Sequence, residues 1–444
     1  WFLPLGGCGE IGMNLNLFGH DGHWLMVDCG VTFEEGPGGS EVQMPDTTFI
    51  SGCKDRLVGL IATHAHQDHI GAIHWLWPTF ETPVYTTRFT AEVLNAKLRR
   101  ERVNVPVVVV KPGERRQFGP FSVEWLPITH STPETNGLLI ETPAGRILHI
   151  ADWKLDATPV VGDGFQAALW SRLAGVDAIV CDSTNATTEG HSVSEAALAT
   201  DLAAEIESAR GRVVIGCFAS NIARLQTLGH VAEQTGRYVG LYGRSLQGMA
   251  AAARASGYLR KGFNVISPSH MGYLPRNEVM AIATGSQGEA GSALERMAAG
   301  SHPDIDLDEG DRVIFSSRSI PGNEQKIAAL CEAFGARGIE VVQAEHSNLL
   351  LHASGHPCVE ELREMYSVVQ PRIAIPVHGE AAHMTASAGL AAEAGVTHQL
   401  VGENGDLFQI APAIGIKRRA AFAGRLTVDA RGKLQPATVP KPEA

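Results

Sequence analysis

The heptapeptide THAHQDH (63–69) has the residue types and the spacing of a metal-binding loop. It directly follows the apolar run VGLIA, so its side chains are expected at the end of a buried strand. His64 and His66 are two residues apart and can face one ion, while Asp68 and His69 point to a neighbouring position. Imidazole and carboxylate ligands favour Zn²⁺ and leave Mn²⁺ and Mg²⁺ open. The spacing therefore predicts a centre for two divalent metal ions.

The composition limits the classes of protein that can carry this centre. The chain has 444 residues, which predicts two or more domains. With 36 Lys+Arg against 48 Asp+Glu, the net charge of −12 argues against a nucleic-acid partner, although a metal-lined cleft or a local basic run can reverse the field. Seven scattered cysteines without a C-x-x-C pair fit reduced thiols in a cytoplasmic protein. No run of about 18 apolar residues is present, so no membrane partner is expected.

The pattern of elements predicts one domain inserted into another. Residues 1–195 contain mainly short strands, which predict a sheet-on-sheet core covered by helices. Strands and helices alternate over 196–350, as in a doubly wound α/β domain. Residues 351–430 return to loops rich in His and Gly and then a strand and a helix, and they are assigned to the first domain. The tail 431–444 is predicted to be a linker.

Local patterns add three smaller predictions. The segment GCGEIG (7–12) satisfies G-x-G-x-x-G, but the alternating residues after it predict a hairpin, not the helix that a dinucleotide site needs. A second hairpin is predicted over 136–152. Ser192 and Glu195 have the spacing of a capping box at the first helix of the insert.

The H-x-H-x-D-H pattern after a hydrophobic strand resembles the metallo-β-lactamase fold, an αββα sandwich whose other ligands come from later strand ends. Matching positions occur in LPITHS, HIADWK and IPVHGE, and Asp28 in VDCG matches the aspartate that orients the metal loop from behind it. The resemblance implies these ligands: His64, His66 and His130 at the first position, Asp68, His69 and His378 at the second, and Asp152 bridging the two.

The insert narrows the resemblance further. CDSTNA (181–186), HASGH (352–356) and PVHGE (376–380) resemble motifs of the β-CASP nucleases, and GGCGEIGMN with TGSQGE is similar to the ribonuclease J family. Members usually carry a further C-terminal domain, so the tail is expected to lead to a domain absent from this chain and the full-length protein to form a homodimer or homotetramer. Gln67 replaces the more usual acidic residue between the ligands, with little expected effect.

The expected chemistry is phosphodiester hydrolysis by a water shared between two cations. His356, backed by Asp182, is the predicted general acid for the leaving 3′-oxygen, and Asp68 completes the predicted catalytic residues. Residues at a Gly-containing loop and at a helix start are predicted to bind substrate phosphates: Ser220, Asn221, His352, Ser354, Gly355 and His356.

The resemblance implies a 5′-to-3′ exoribonuclease and endoribonuclease that acts on single-stranded RNA in mRNA decay and rRNA maturation. A preference for 5′-monophosphorylated ends is our own hypothesis from the second phosphate site. A β-CASP nuclease that prefers DNA remains open, because no 2′-hydroxyl reader can be recognised in a sequence. A small-molecule hydrolase of the same fold has no need of the insert. An RNA-binding scaffold without metals conflicts with the presence of every expected ligand.

Overall fold

The computed structural model of the chain describes residues 1–36, 39–259, 263, 265–320, 322–429 and 431–437. The predicted linker residues 438–444 lie outside this range. No helix in the described part of the chain combines the length and the apolar character that a bilayer span requires.

Strands dominate the part of the chain before the insert. They are β1 (Phe2–Gly6), β2 (Leu15–His20), β3 (His23–Val27), β4 (Thr32–Gly36), β5 (Gly39–Pro45), β6 (Leu57–Ile61), β7 (Val84–Thr86), β8 (Val107–Val109), β9 (Arg115–Phe118), β10 (Phe121–Pro127), β11 (Asn136–Thr142), β12 (Gly145–Ile150) and β13 (Ala178–Asp182). The α-helices between them are α1 (Thr48–Ser51), α2 (Gln67–Ile70), α3 (Ile73–Phe80), α4 (Arg88–Glu101) and α5 (Ala167–Ser171).

The insert alternates helices and strands: α6 (Leu198–Ser208), β14 (Val213–Gly216), α7 (Ile222–Gln234), β15 (Tyr238–Tyr242), α8 (Arg244–Ser256), β16 (Val265–Ile266), α9 (Pro268–Met271), β17 (Val279–Ala283), α10 (Ala293–Ala298), β18 (Arg312–Phe315), α11 (Glu324–Gly335) and β19 (Glu340–Gln343). The chain then adds α12 (Val359–Val369), β20 (Ile373–Val377), α13 (Ala381–Glu393), β21 (His398–Gln399), β22 (Leu407–Gln409), β23 (Gly415–Lys417), β24 (Arg425–Val428) and β25 (Leu434–Pro436).

Two sheets form the αββα sandwich. One has the strand order β23-β22-β1-β2-β3-β6-β7-β8 and the other β21-β20-β13-β12-β11-β10-β9. Apolar side chains such as Phe18, Trp125 and Ile375 fill the space between the sheets. Outer helices cover both, with Leu94 of α4 packed on one side and Leu362 of α12 on the other. The predicted metallo-β-lactamase fold is confirmed.

The insert is a parallel sheet in the order β16-β15-β17-β14-β18-β19. Its central strand β17 (VMAIA) is buried throughout, as expected for a parallel strand covered on both faces. Leu228 of α7 and Leu246 of α8 pack on one face, and Leu294 of α10 and Phe334 of α11 pack on the other. This is the doubly wound α/β architecture that the alternation predicts.

A four-stranded sheet, β25-β24-β5-β4, was not predicted. It joins distant segments, since Arg425 is opposite Pro45, and it includes a local antiparallel pair in which Val428 is opposite Leu434. The prediction of a linker beginning at residue 431 is therefore wrong for the described part, because β25 is a paired strand.

The hairpin predictions are confirmed by the antiparallel pairs β2–β3 and β11–β12. The capping-box prediction is wrong. Ser194, not Ser192, accepts a hydrogen bond from Ala196 N at the start of the 3₁₀ turn that precedes α6. Ser192 instead donates to the buried carboxylate of Glu361, and Glu195 pairs with Arg224. The Ser192 hydroxyl and the Glu195 carboxylate, which a local cap would use, are therefore bound to charged residues elsewhere in the chain.

Candidate metal centre

The predicted ligands lie at the carboxyl ends of strands along one edge of the sandwich. His64 and His66 follow β6, His130 follows β10, Asp152 follows β12 and His378 follows β20. Parallel pairing of β12 with β13 and of β13 with β20 brings the later strand ends side by side. Packing of the two sheets then places Asp68 3.1 Å from His378, although the two residues are 310 positions apart in the sequence.

The first position is formed by three imidazoles and one carboxylate. Nδ1 of His66 lies 3.0 Å from Nε2 of His64 and 3.1 Å from Nε2 of His130. Oδ2 of Asp152 lies 3.5 Å from Nε2 of both His64 and His130. Ligand atoms of a tetrahedral zinc site lie about 3.3 Å apart. The spacing of these four atoms fits one divalent ion.

The second position combines two imidazoles with two carboxylates. Oδ2 of Asp68 lies 3.1 Å from Nε2 of His378 and 3.5 Å from Nε2 of His69. Oδ1 of Asp152 lies 3.1 Å from Nε2 of His69 and 3.7 Å from Nδ1 of His378. The four side chains form a cluster of the kind that can hold a metal ion.

Asp152 faces both positions, one carboxylate oxygen toward each. The residue is 1% exposed, and its Oδ1 has no hydrogen-bond partner among the described residues. A buried carboxylate oxygen without a hydrogen bond is costly unless a cation compensates it. The buried carboxylate, with one oxygen toward each set of imidazoles, and the imidazole-rich donor set fit a pair of divalent ions.

The two positions differ in electrostatics. At the first, burial lowers the pKa of His64 to about 3. Burial, reinforced by the neighbouring His66, also holds the pKa of His130 well below its ordinary value. Both imidazoles are therefore neutral at physiological pH, with a lone pair available to a metal ion.

At the second position the carboxylates dominate. Burial lowers the pKa of His69, but Asp152, Asp68 and Asp28 outweigh it, so that pKa lies well above its ordinary value. Burial also lowers the pKa of His378, but the Asp152 and Asp182 carboxylates outweigh burial, so that pKa too lies well above its ordinary value. Burial raises the pKa of Asp68, but His69 and His378 hold it well below its ordinary value.

Asp28 lies behind the loop 63–69 and contacts it through hydrogen bonds. Its Oδ2 accepts hydrogen bonds from Nδ1 of His69 at 2.7 Å and from the Thr63 hydroxyl at 2.9 Å. Its Oδ1 accepts the Thr63 N–H at 2.8 Å. These bonds leave Nε2 of His69 as the nitrogen that faces the second position.

His356 and Asp182 form a pair beside the two positions. Nδ1 of His356 donates to Oδ2 of Asp182 at 2.8 Å, and Nε2 lies 3.9 Å from Oδ2 of Asp152. Burial lowers the pKa of His356, but the Asp182 and Asp152 carboxylates outweigh it and raise that pKa. The side chain is 22% exposed, whereas those of His64 and His130 are at most 1% exposed. His356 thus combines a raised pKa with a partly exposed side chain beside the two positions.

The HASGH loop divides into two parts. The Gly355 carbonyl accepts a hydrogen bond from Nδ1 of His130 at 2.7 Å, so Gly355 orients a predicted ligand. The Ser354 hydroxyl oxygen accepts from Nδ2 of Asn185 at 2.8 Å and from the backbone N–H of His356 at 3.2 Å. Both residues therefore lie beside the metal positions.

His352 has a different environment. It hydrogen-bonds to the Ser316 backbone, and burial, followed by the charge of Arg224, lowers its pKa to about 3. Its Nδ1 has no hydrogen-bond partner in the described part of the chain. A neutral ring whose N–H is used by a carbonyl presents only a lone pair, which repels an anion. The geometry does not support His352 as a direct phosphate ligand.

The predicted phosphate binders at α7 have a structural use. Oδ1 of Asn221 accepts the backbone N–H of Arg224 at 2.8 Å and caps the helix. Asn221 is buried and Ser220 is partly exposed at the same helix start. The capping bond leaves only the amide N–H groups of Asn221 for a substrate.

Three polar residues of the centre were missed. Nδ2 of Asn14 lies 3.1 Å from Nε2 of His69, and the Thr184 hydroxyl lies 2.8 Å from Nδ1 of His378. The Ser131 hydroxyl lies 3.3 Å from Nε2 of His66. Asn14 and Thr184 belong to GGCGEIGMN and CDSTNA, so these motifs carried a signal. Ser131 only follows His130 and had none.

Comparisons with known proteins agree with this architecture. The family model described as "Ribonuclease J, beta-CASP domain" matches residues 210–334. "Beta-lactamase superfamily domain" matches 23–215, and "Zn-dependent metallo-hydrolase RNA specificity domain" matches 325–401. A crystal structure of a protein of unknown function from Enterococcus faecalis is 16% identical with a TM-score of 0.63, covering 91% of this chain and 98% of that one. This likeness concerns the fold alone.

Two curated relatives are each named Ribonuclease J. The protein from Sinorhizobium meliloti is 42% identical, with 96% of this chain and 82% of the relative covered. The protein from Mycolicibacterium smegmatis is 38% identical, with 96% and 76% covered. On this similarity over most of both chains, the protein belongs to the ribonuclease J family.

Proposed function

We propose that the chain hydrolyses single-stranded RNA with two divalent ions bound at the two positions, and that these ions are Zn²⁺. In this proposal it is a 5′-to-3′ exonuclease that prefers 5′-monophosphorylated ends and also an endonuclease, acting in mRNA decay and rRNA maturation in the cytoplasm. The observation that carries the proposal is Asp152, whose two oxygens face two separate sets of ligands in a chain of this family.

Residues of both sets would hold the ions. When bound, two such ions supply Lewis-acid activation of a water and neutralise charge on the phosphate. Three imidazoles and one carboxylate at the first position favour Zn²⁺, while the second position, with two carboxylates, suits Mn²⁺ as well. Asp68 contributes both as a ligand and through its contact with His378.

His356 is the proposed general acid. Its bond to Asp182 occupies Nδ1, so Nε2 is the atom that would give a proton to the leaving 3′-oxygen. The raised pKa of His356 favours the protonated ring before the reaction. Asp182 also accepts the Thr184 N–H and hydroxyl, and these bonds fix its carboxylate.

Ser354 is the proposed phosphate donor of the HASGH loop. Its oxygen already accepts two hydrogen bonds, so its O–H is left to donate to a phosphate oxygen. The side-chain amide N–H groups of Asn221 at the start of α7 and the backbone N–H of Ser220 before it would bind the 5′-terminal phosphate, aided by the charge of the helix N-terminus.

The RNA substrate rests on the family and on the RNA-specificity model, which matches residues 325–401. That segment contains the HASGH loop and His378. Association of the protein into a homodimer or homotetramer is part of the proposal, and light scattering tests it.

The test compares 5′-labelled RNA and DNA of one sequence, each with a 5′-monophosphate or a 5′-triphosphate. We expect RNA to be degraded from the monophosphorylated 5′ end at the highest rate. His356→Gln should lower cleavage on the order of 10²- to 10⁴-fold while metal content is unchanged. Equal rates on all four substrates, or full activity of His356→Gln, would contradict the proposal.

A further inference from the structure

Lys97 on α4 reaches the helix that carries two of the predicted ligands. Its Nζ donates to Oε1 of Gln67 at 3.0 Å and to the backbone carbonyl of Gly71 at 2.9 Å. The same ammonium lies 5.3 Å from the centre of the Trp75 ring, within the range of a cation–π contact. The two hydrogen-bond acceptors are neutral, so this contact is not an ordinary ion pair.

The two acceptors are the ends of one helical turn. α2 begins at Gln67, contains Asp68 and His69, and is capped by Gly71, whose N–H donates to the Gln67 carbonyl at 2.7 Å. The turn is tightly packed, because a Cβ at Gly71 would lie 2.3 Å from that carbonyl oxygen. Lys97 thus bonds to both ends of the segment that supplies ligands to the second metal position.

α4 itself is fixed at its other end. The backbone N–H of Phe89 donates to Oε2 of Glu134 at 2.7 Å, and the Tyr258 hydroxyl donates to Oε1 at 2.9 Å. Arg88 donates to the Ala255 carbonyl, and α4 packs against α8 of the insert. Lys97 therefore projects from a helix that is held by both the sandwich and the insert.

We propose that Lys97 is a positioning residue for the second metal position, where it holds the α2 turn so that Asp68 and His69 face His378. The inference rests on the two-ion centre proposed above. Gln67, which stands where family members usually have an acidic residue, has a defined task in this account: it is the neutral acceptor for Lys97. No residue within α2 belongs to the first position, whose nearest ligand, His66, is the N-cap before the turn, so we expect the smaller effect there.

The test is a metal titration that needs no RNA. Metal-free wild type and Lys97→Met are titrated with Zn²⁺ against a chromophoric chelator, alone and in His130→Ala and His378→Ala backgrounds that each disable one position. Groups that orient metal ligands typically change affinity about 10- to 100-fold. We expect Lys97→Met to weaken the second position by that range and to leave the first within about twofold.

Gln67→Leu is the second variant, and it retains the Lys97 bond to Gly71. Gln67→Leu should lower the metal affinity of the second position less than Lys97→Met does. Combined with Lys97→Met it should lower that affinity little further, because both changes remove the same bond between Lys97 and Gln67. Lys54→Met, at an exposed site, is the matched control and should have no effect. If Lys97→Met does not fold, Gln67→Leu decides.

Wild-type affinity at both positions in the variants would overturn the inference. Equal weakening of both positions would also overturn it, because that result indicates general destabilisation. If wild-type protein binds fewer than two ions, the proposed metal centre itself fails, which is a separate outcome.

Discussion

The two proposed metal positions share Asp152 but differ in the electrostatics of their imidazoles. At the first, burial keeps His64 and His130 neutral. Nδ1 of His64 contacts the Thr63 hydroxyl, and Nδ1 of His130 contacts the Gly355 carbonyl. At the second, carboxylates surround His69 and His378 and raise the pKa of each. The first position is therefore ready to accept a cation, whereas the second must release protons first.

The largest expected effect comes from the residue that both positions share. Asp152→Ala should lower RNA cleavage on the order of a thousandfold or more, because Lewis-acid catalysis contributes several kcal/mol. Asp152→Ala should also lower the binding affinity for both ions, whereas His130→Ala and His378→Ala should each lower the affinity for one ion. Metal analysis beside a cleavage assay measures this. An Asp152→Ala protein that keeps both ions tightly would break the comparison.

The pH dependence of metal affinity should separate the positions. His69 and His378 have raised pKa values, so they are protonated below those values and a metal must displace the protons. Affinity at the second position should then rise with pH, by at least about tenfold per unit while one proton is displaced. The pKa of His64, about 3, predicts a much flatter profile for the first position above pH 5. Titrations between pH 5.5 and 8 that give parallel profiles would contradict this account.

Asp28 and Gly355 provide a matched pair of outer contacts. Asp28→Asn replaces the carboxylate that accepts from Nδ1 of His69 and should weaken the second position about 10- to 100-fold. The first position should be weakened less, because Asp28 reaches His64 only through the Thr63 hydroxyl, and titrations in the His130→Ala and His378→Ala backgrounds measure the difference. Weakening confined to the first position would refute the assignment of Asp28.

Gly355→Ala should have the smallest effect, confined to the first position. Its Cβ would lie 2.7 Å from Cε1 of His130, so the ring must shift. Overpacking of this kind costs about 1–3 kcal/mol of the free energy of unfolding. Chemical denaturation of metal-free protein measures that cost, and an Ala variant of wild-type stability would show that the loop moves freely.

The contiguous part of the centre was predictable because its four groups lie within THAHQDH after one apolar strand. His130, Asp152 and His378 were predicted by resemblance, since local sequence does not distinguish them from other polar residues at strand ends. Hydrophobic patterning likewise predicted the two-sheet core and the alternating insert, because each depends on local periodicity.

Most failures share a different cause. Three unpredicted contacts join segments that are distant in the sequence. They are the pairing of Arg425 with Pro45, the bond of Ser192 to Glu361 and the bond of His352 to Ser316. No local pattern specifies such contacts. The Ser192 capping box was wrong for that reason, and the contact of Lys97 with α2 could not be seen. The linker beginning at 431 was wrong for another reason, because the local pair of β24 with β25 was not predicted.

The most direct test is an anomalous-scattering map from a crystal soaked with Zn²⁺. The account predicts two peaks, one enclosed by His64, His66 and His130 and one by Asp68, His69 and His378, with Asp152 contacting both. A single peak, or peaks away from Asp152, would contradict the shared two-ion centre.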